Sequence, residues 1–227
     1  MASGRLYLVP TPIGNLGDMT PRAVEVLGQV DLIACEDTRH SGRLLAHFGI
    51  AQKKISYFEH NEFKRVPQII SELKEGRNVA VISDGGAPGL SDPAYRLVKA
   101  AIEEDIEVTP LPGATAVIPA LTGSGLPTDR FLFEGFLPVK PGKRRRRLEE
   151  LKDFPHTLII YESVHRIIKT LADIGVIFGD RPVCVAREIT KIHEEFIRGT
   201  AAEVSEFLTK NKQKGEFVIV IGGQCHD

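Results

Sequence analysis

A chain of 227 residues, 42% hydrophobic and 26% charged, has the composition of an ordinary globular protein and is long enough to bury one or two cores. No apolar run approaches the roughly 20 residues that span a bilayer, and residues 1–14 lack the charged start, apolar centre and cleavage site of an export leader, so a cytoplasmic protein is expected and a membrane protein is not. The net charge of −1 conceals an asymmetry: residues 1–112 carry 12 Lys+Arg against 15 Asp+Glu, residues 113–227 carry 17 against 15, and an anionic partner would therefore meet the second half.

In chain order, short apolar runs rich in β-branched residues alternate with Gly/Pro/Asp punctuation and amphipathic stretches. Leu6–Pro10 reads as a strand, and Thr20 followed by Pro21 supplies a helix cap and a proline at the first helical position. Strand Asp31–Cys35, helix Arg39–Phe48 closed by Gly49, strand Ile55–Phe58, helix Val66–Lys74, strand Val79–Ser83, helix Pro93–Glu104 and strand Glu107–Leu111 follow. Ser91-Asp92-Pro93 reads as the cap of the helix after the fourth strand. Five strands and four helices imply an α/β domain with a mostly parallel sheet over 1–112. Beyond Pro112-Gly113, the small-residue segment Ala114–Gly125 suits a closely packed helix. Strands at Phe131–Phe136, Thr157–Tyr161, Val183–Arg187, Glu195–Arg198 and Phe217–Ile221, with helices at Val164–Ile177 and Ala201–Asn211, imply a second α/β domain with a mixed sheet over 113–227.

Three loops follow strands of the first domain: Pro10–Asp18, Asp84–Gly89 and Leu111–Ala116. In a parallel sheet all three gather at the carboxyl edge, where ligands of open α/β sheets bind. The chain contains neither GxxxxGK[ST] nor GxGxxG, so a nucleoside triphosphate or a nicotinamide dinucleotide is disfavoured. Small residues there let the backbone approach a ligand, and Asp84 orients the loop or the ligand. Glu36-Asp37-Thr38-Arg39 ends the second strand at the same edge, either as an acid–base pair or, through Asp37 or Thr38, as a helix cap. The basic run Lys143–Arg147 is either a solvated helix face paired with Glu149 and Glu150 or a contact for nucleic-acid phosphates. Cys35, Cys184 and Cys225 form no CxxC pair, and the seven histidines no HExxH pattern, so neither disulfides nor a metal are expected.

The stretches VPTPIGNLGDMTPRA, EDTRHSGRLL, SDGGAPGLSDP, PLPGATAVIPALTGSGLPTDRF, FEGFLP, YESVHR and AREITK together resemble the tetrapyrrole methylase superfamily and, within it, the bacterial 16S ribosomal RNA cytidine 2′-O-ribose methyltransferases. The resemblance runs from Leu6 to about Gly222. It implies two α/β domains with S-adenosylmethionine in the cleft between them, a homodimer, and methylation of a cytidine ribose in the decoding region of the small ribosomal subunit. Carried over by position, the cofactor site comprises Ile13, Asp84, Gly85, Gly86, Ala87, Leu90, Thr115, Ala116 and, from the second domain, Glu162. Glu36, Asp37 or Glu188 would serve as base, and Arg39, His165, Arg166 and Lys191, with Arg144, Arg145, Arg146 and Arg147, would hold RNA phosphates. Two departures from the pattern are visible. The first loop carries Thr-Pro-Ile-Gly in place of GxGPG, which favours the RNA-modifying branch, and with the sequence ending at Asp227 the small C-terminal domain common in that branch is expected to be absent, by lineage or by truncation. The alternatives are methylation of a small molecule such as a tetrapyrrole, and an RNA-binding module without catalysis.

Overall fold

The computed structural model describes residues 3–211 and 214–224, which divide into two compact units between Thr115 and Ala116. The first unit alternates strands β1 (Leu6–Leu8), β2 (Leu32–Cys35), β3 (Lys54–Ser56), β4 (Val79–Ile82) and β5 (Val108–Pro110) with helices α1 (Pro21–Gln29), α2 (Thr38–His47), α3 (Glu62–Lys74) and α4 (Tyr95–Glu103). All pairings are parallel, in the order β3-β2-β4-β1-β5. Chain direction explains the layers. The crossovers from β1 to β2 and from β2 to β3 move one way along the sheet, and the next two move back. Right-handed connections therefore put α1 and α2 on one face, α3 and α4 on the other.

The side chains follow that division. Leu32 and Ala34 of β2, with Val79 and Val81 of β4, meet Ile69, Leu73, Leu97 and Ala101 of α3 and α4. Their alternates, Ile33, Cys35, Ala80 and Ile82, meet Ala23, Leu27 and Leu45 of α1 and α2. Each fully buried Leu, Ile or Val contributes about 1.5–3 kcal/mol, so both layers are needed to hold strands as short as three residues. Thr20 caps α1 by accepting from the Ala23 N–H at 3.1 Å, as the Thr-Pro pair implies.

Two local expectations fail. Helix α3 begins a turn before Val66, at Glu62, and takes Pro67 into its interior. Ser91-Asp92-Pro93 does not cap α4: Ser91 sits at φ +68°, the helix begins at Tyr95 after an uncapped Ala94, and the Asp92 carboxyl turns back to the Ser83 hydroxyl. A cap and a tight turn draw on the same residues, and the long-range partner decides between them.

The second unit holds α5 (Val117–Ser124), β6 (Phe131–Phe136), α6 (Pro141–Glu150), β7 (Thr157–Ser163), α7 (Ile167–Phe178), β8 (Pro182–Arg187), β9 (Glu195–Thr200), α8 (Ala201–Lys210) and β10 (Glu216–Ile221). Its sheet, ordered β6-β7-β10-β8-β9, is mixed: β6 and β7 run parallel and the other neighbours antiparallel. Leu148 of α6, Leu171 and Ile174 of α7, and Val204 and Leu208 of α8 cover one face. Helix α5 lies on the other, so closely that a Cβ on Gly123 would stand 2.6 Å from the Phe196 ring. That contact gives the small residues of α5 their purpose. Cys35 and Cys184 are buried free thiols; Cys225 lies outside the described residues.

Candidate functional site

At the carboxyl edge of the first sheet the loops after β1 and β4 are zipped together by backbone, and the loop after β5 packs against the first of them. Thr11 and Gly86 exchange two hydrogen bonds, at 3.0 and 2.9 Å, and the Thr11 hydroxyl donates to the Ser83 carbonyl at 3.1 Å. Gly86 sits at φ +93°, and a Cβ there would stand 3.4 Å from the Ile13 side chain; one on Gly113 would stand 2.7 Å from Pro10. Gly86 is thus required by its backbone angle and Gly113 by the close approach of Pro10, and the open surface beside them is a low wall of Ile13 and Gly85. Of that wall Gly85 is exposed and Ile13 half-buried.

Carboxyls crowd the same edge. The Glu36 carboxyl accepts a hydrogen bond from the Asp84 backbone, and the Asp37 N–H donates to Asp84 Oδ1 at 3.3 Å, tying the loop after β2 to that after β4. Burial first, then the charges of Asp92 and Asp84, push Glu36 up to about 7. Burial and Asp84 likewise push Asp92 up to about 6, against the Ser83 hydrogen bond that lowers it. Among the described residues no lysine or arginine pairs with Glu36, Asp84 or Asp92. Glu36 and Asp92 are half-buried and Asp84 exposed; together they suit a cationic ligand, and a carboxyl poised near neutrality suits proton transfer.

The other two candidate bases are otherwise engaged. Asp37 caps α2, accepting from the N–H groups of Arg39 at 2.7 Å and His40 at 3.2 Å, which hold its carboxyl below the usual range. Burial raises the Glu188 carboxyl, but Lys191 Nζ at 2.9 Å and the Glu216 N–H at 3.1 Å outweigh it and leave the group a weaker base than usual. Its partner Lys191 also binds Glu216, so neither end of the pair is free for a substrate.

Glu162 turns inward, contrary to the cofactor-facing position expected of it. Only 2% of its surface is exposed, and its two oxygens accept four hydrogen bonds, from the Ser163 N–H, two Arg166 nitrogens and the Thr170 hydroxyl. Four bonds saturate a carboxylate. Arg166, bound to Glu162 and to the Leu137 carbonyl, fixes the start of α7 and is likewise not a free phosphate ligand.

The basic run on α6 is corrected most. Arg144 is 4% exposed and shares the buried Asp173 with Arg145, both at 2.7 Å. Arg147 grips Glu134 at 2.6 and 2.8 Å and also binds Glu150, while Arg146 reaches Glu150 at 3.3 Å. An arginine buried in an ion pair cannot reach an RNA phosphate. Arg145 and Arg146 keep most of their side-chain surface in water, and Arg39 beside Asp37 and His165 after β7 are exposed. Ala87, Leu90, Thr115 and Ala116 are half-buried in the loops. Among the described residues no three His, Cys, Asp or Glu side chains group to hold a metal ion, and no helix is long and apolar enough to cross a membrane.

The family described as Tetrapyrrole (Corrin/Porphyrin) Methylases matches residues 5–205. The chain is similar to Ribosomal RNA small subunit methyltransferase I of Synechocystis sp., 54% identical over 97% of this chain and 79% of that protein. It is similar to the protein of the same name from Micromonospora olivasterospora, 50% identical over 97% of this chain and 71% of the relative. Its fold is similar to that of uroporphyrin-III C-methyl transferase from Thermus thermophilus complexed with S-adenyl homocysteine, with a TM-score of 0.65 at 20% identity, covering 96% of this chain and 97% of that one.

Proposed function

Because the chain belongs to the tetrapyrrole methylase family and, within it, to the ribosomal RNA small subunit methyltransferase I group, we propose that it methylates the 2′-hydroxyl of a cytidine ribose in the decoding region of 16S ribosomal RNA with S-adenosylmethionine. The observation that carries this reading is the carboxyl edge of the first sheet, where a wall of small residues adjoins three acids that pair with no lysine or arginine among the described residues. These residues fit the cofactor. Its sulfonium and ammonium groups are cations, which Glu36, Asp84 and Asp92 favour. Ile13, Gly85, Gly86, Ala87 and Leu90, with Thr115 and Ala116, supply the close backbone and apolar contacts.

When bound, the cofactor supplies an activated methyl group on sulfur. The protein's part is to orient the acceptor and take its proton. A ribose hydroxyl is a poor nucleophile, and Glu36, with its proton affinity near neutrality, would accept the hydroxyl proton. Asp84 and Asp92 keep the Glu36 proton affinity high, and Asp84 also fixes the loop after β2 through the Asp37 N–H. Arg39, exposed beside Asp37, meets a backbone phosphate. The reading makes the protein a cytoplasmic homodimer acting on the small ribosomal subunit.

The test is incubation of the protein and labelled cofactor with purified small subunits, free ribosomal RNA and tetrapyrroles, followed by location of the methyl group. Label in 2′-O-methylcytidine of small-subunit RNA is expected. Label in a tetrapyrrole, or none in RNA, overturns the reading.

A further inference from the structure

Across α3 and α4 a buried carboxylate holds up an exposed stack. Glu62, 7% exposed, accepts from the hydroxyl of buried Tyr57 at 3.4 Å and lies 3.0 Å from Arg96 Nε. Anchored from below, the Arg96 guanidinium lies 4.8 Å from the centre of the Phe63 ring. Phe63 is 78% exposed, and Tyr95, the chain neighbour of Arg96, is 74% exposed. Two aromatic rings with three quarters of their surface in water gain little from the core, yet the cation beside one of them is fixed by a built, buried network.

The placement says what the stack is for. Phe63 lies in the first turn of α3 and Tyr95 and Arg96 in the first turn of α4, so both sit at the carboxyl edge, and Tyr95 follows Asp92 by three residues. Flat rings and a planar guanidinium, its charge paired with Glu62, form a surface that stacks bases, and the exposed cation Lys64 attracts phosphates. An apolar protein partner would find these rings interleaved with charge. We propose that Phe63, Tyr95 and Arg96 form a platform on which the unpaired nucleotides flanking the methylated ribose stack. This rests on RNA being the acceptor.

The chain contains no tryptophan, so Phe63→Trp installs a single fluorescent reporter on the platform. A single-stranded cytidine-containing RNA oligomer should quench it, and an abasic oligomer of the same length should not. Phe63→Ala/Tyr95→Ala should raise KM for small subunits about tenfold or more, with kcat and cofactor affinity unchanged; Phe63→Leu should behave like Ala and Phe63→Trp like the native protein. Equal quenching by the abasic oligomer, or a native KM in the double variant, overturns the platform. A changed sedimentation rate with a native KM overturns it too, assigning the patch to a second copy of the chain. Should the native protein methylate no RNA, the proposed function falls, and the quenching assay, which needs no turnover, still decides the platform.

Discussion

The carboxyl edge of the first sheet and helix α6 of the second unit each concentrate charge of one sign, and the fold treats them in opposite ways. On α6 every arginine of the run has a carboxylate partner: Asp173 for Arg144 and Arg145, Glu134 for Arg147, Glu150 for Arg146 and Arg147. At the sheet edge Glu36, Asp84 and Asp92 stand together, and no lysine or arginine among the described residues pairs with them. The conspicuous cluster is therefore compensated from within and serves mainly to hold α6 against α7. The inconspicuous one is left with unspent charge, which is what a binding and proton-transfer site needs.

The comparison breaks most sharply at Glu36. Glu36→Gln removes the proton acceptor and should lower kcat for small-subunit methylation about 10²- to 10⁴-fold at saturating cofactor and RNA. Native turnover in that variant would return the acid cluster to a structural role. Next in size is Asp173→Ala, which leaves Arg144 buried without a partner and should cost about 3–5 kcal/mol in denaturant unfolding. A loss below about 1 kcal/mol would mean that the α6 charges are not compensated as described.

How much of this was legible in the sequence depends on how far away the deciding partner lies. The parallel sheet, the loops at its edge and the Thr20 and Asp37 caps were readable because pattern and cap are local. The α6 pairings were not: Asp173 lies 29 residues beyond Arg144, in the mostly apolar stretch IIKTLADIGVIF, and Glu134 lies 13 before Arg147. The one acid of that helix was the available sign. Asp92 was misread as a cap because its Ser83 partner comes from the preceding strand end. Glu188 looked free because its partner at Glu216 is brought beside it only when β10 pairs with β8.

Two smaller effects sharpen the contrast. A carboxyl whose folded value lies near 7, above its ordinary value of 4.5, is protonated more readily in the folded state, so stability falls as pH rises between those values. Glu36→Gln should therefore match the native protein below pH 5 and exceed it above pH 7, by less than about 1 kcal/mol because the group is half in water. Thermal unfolding across that range checks the sign, and equal stability at every pH would contradict it. Smallest is Arg146→Gln: its pair with Glu150 is exposed, and denaturant unfolding should change by no more than about 0.5 kcal/mol.

The claim that the sheet edge is an uncompensated acid site for a cationic cofactor is tested most directly by calorimetric titration of the protein with S-adenosylmethionine from pH 5.5 to 8. Ionisation of Asp92 near 6 and of Glu36 near 7 should tighten binding by about tenfold across that range. S-adenosylhomocysteine, which lacks the sulfonium charge, should gain less, and Glu36→Gln should lose the upper part of the rise. Affinity for S-adenosylmethionine that is independent of pH, or that follows the same curve as S-adenosylhomocysteine, would contradict the account.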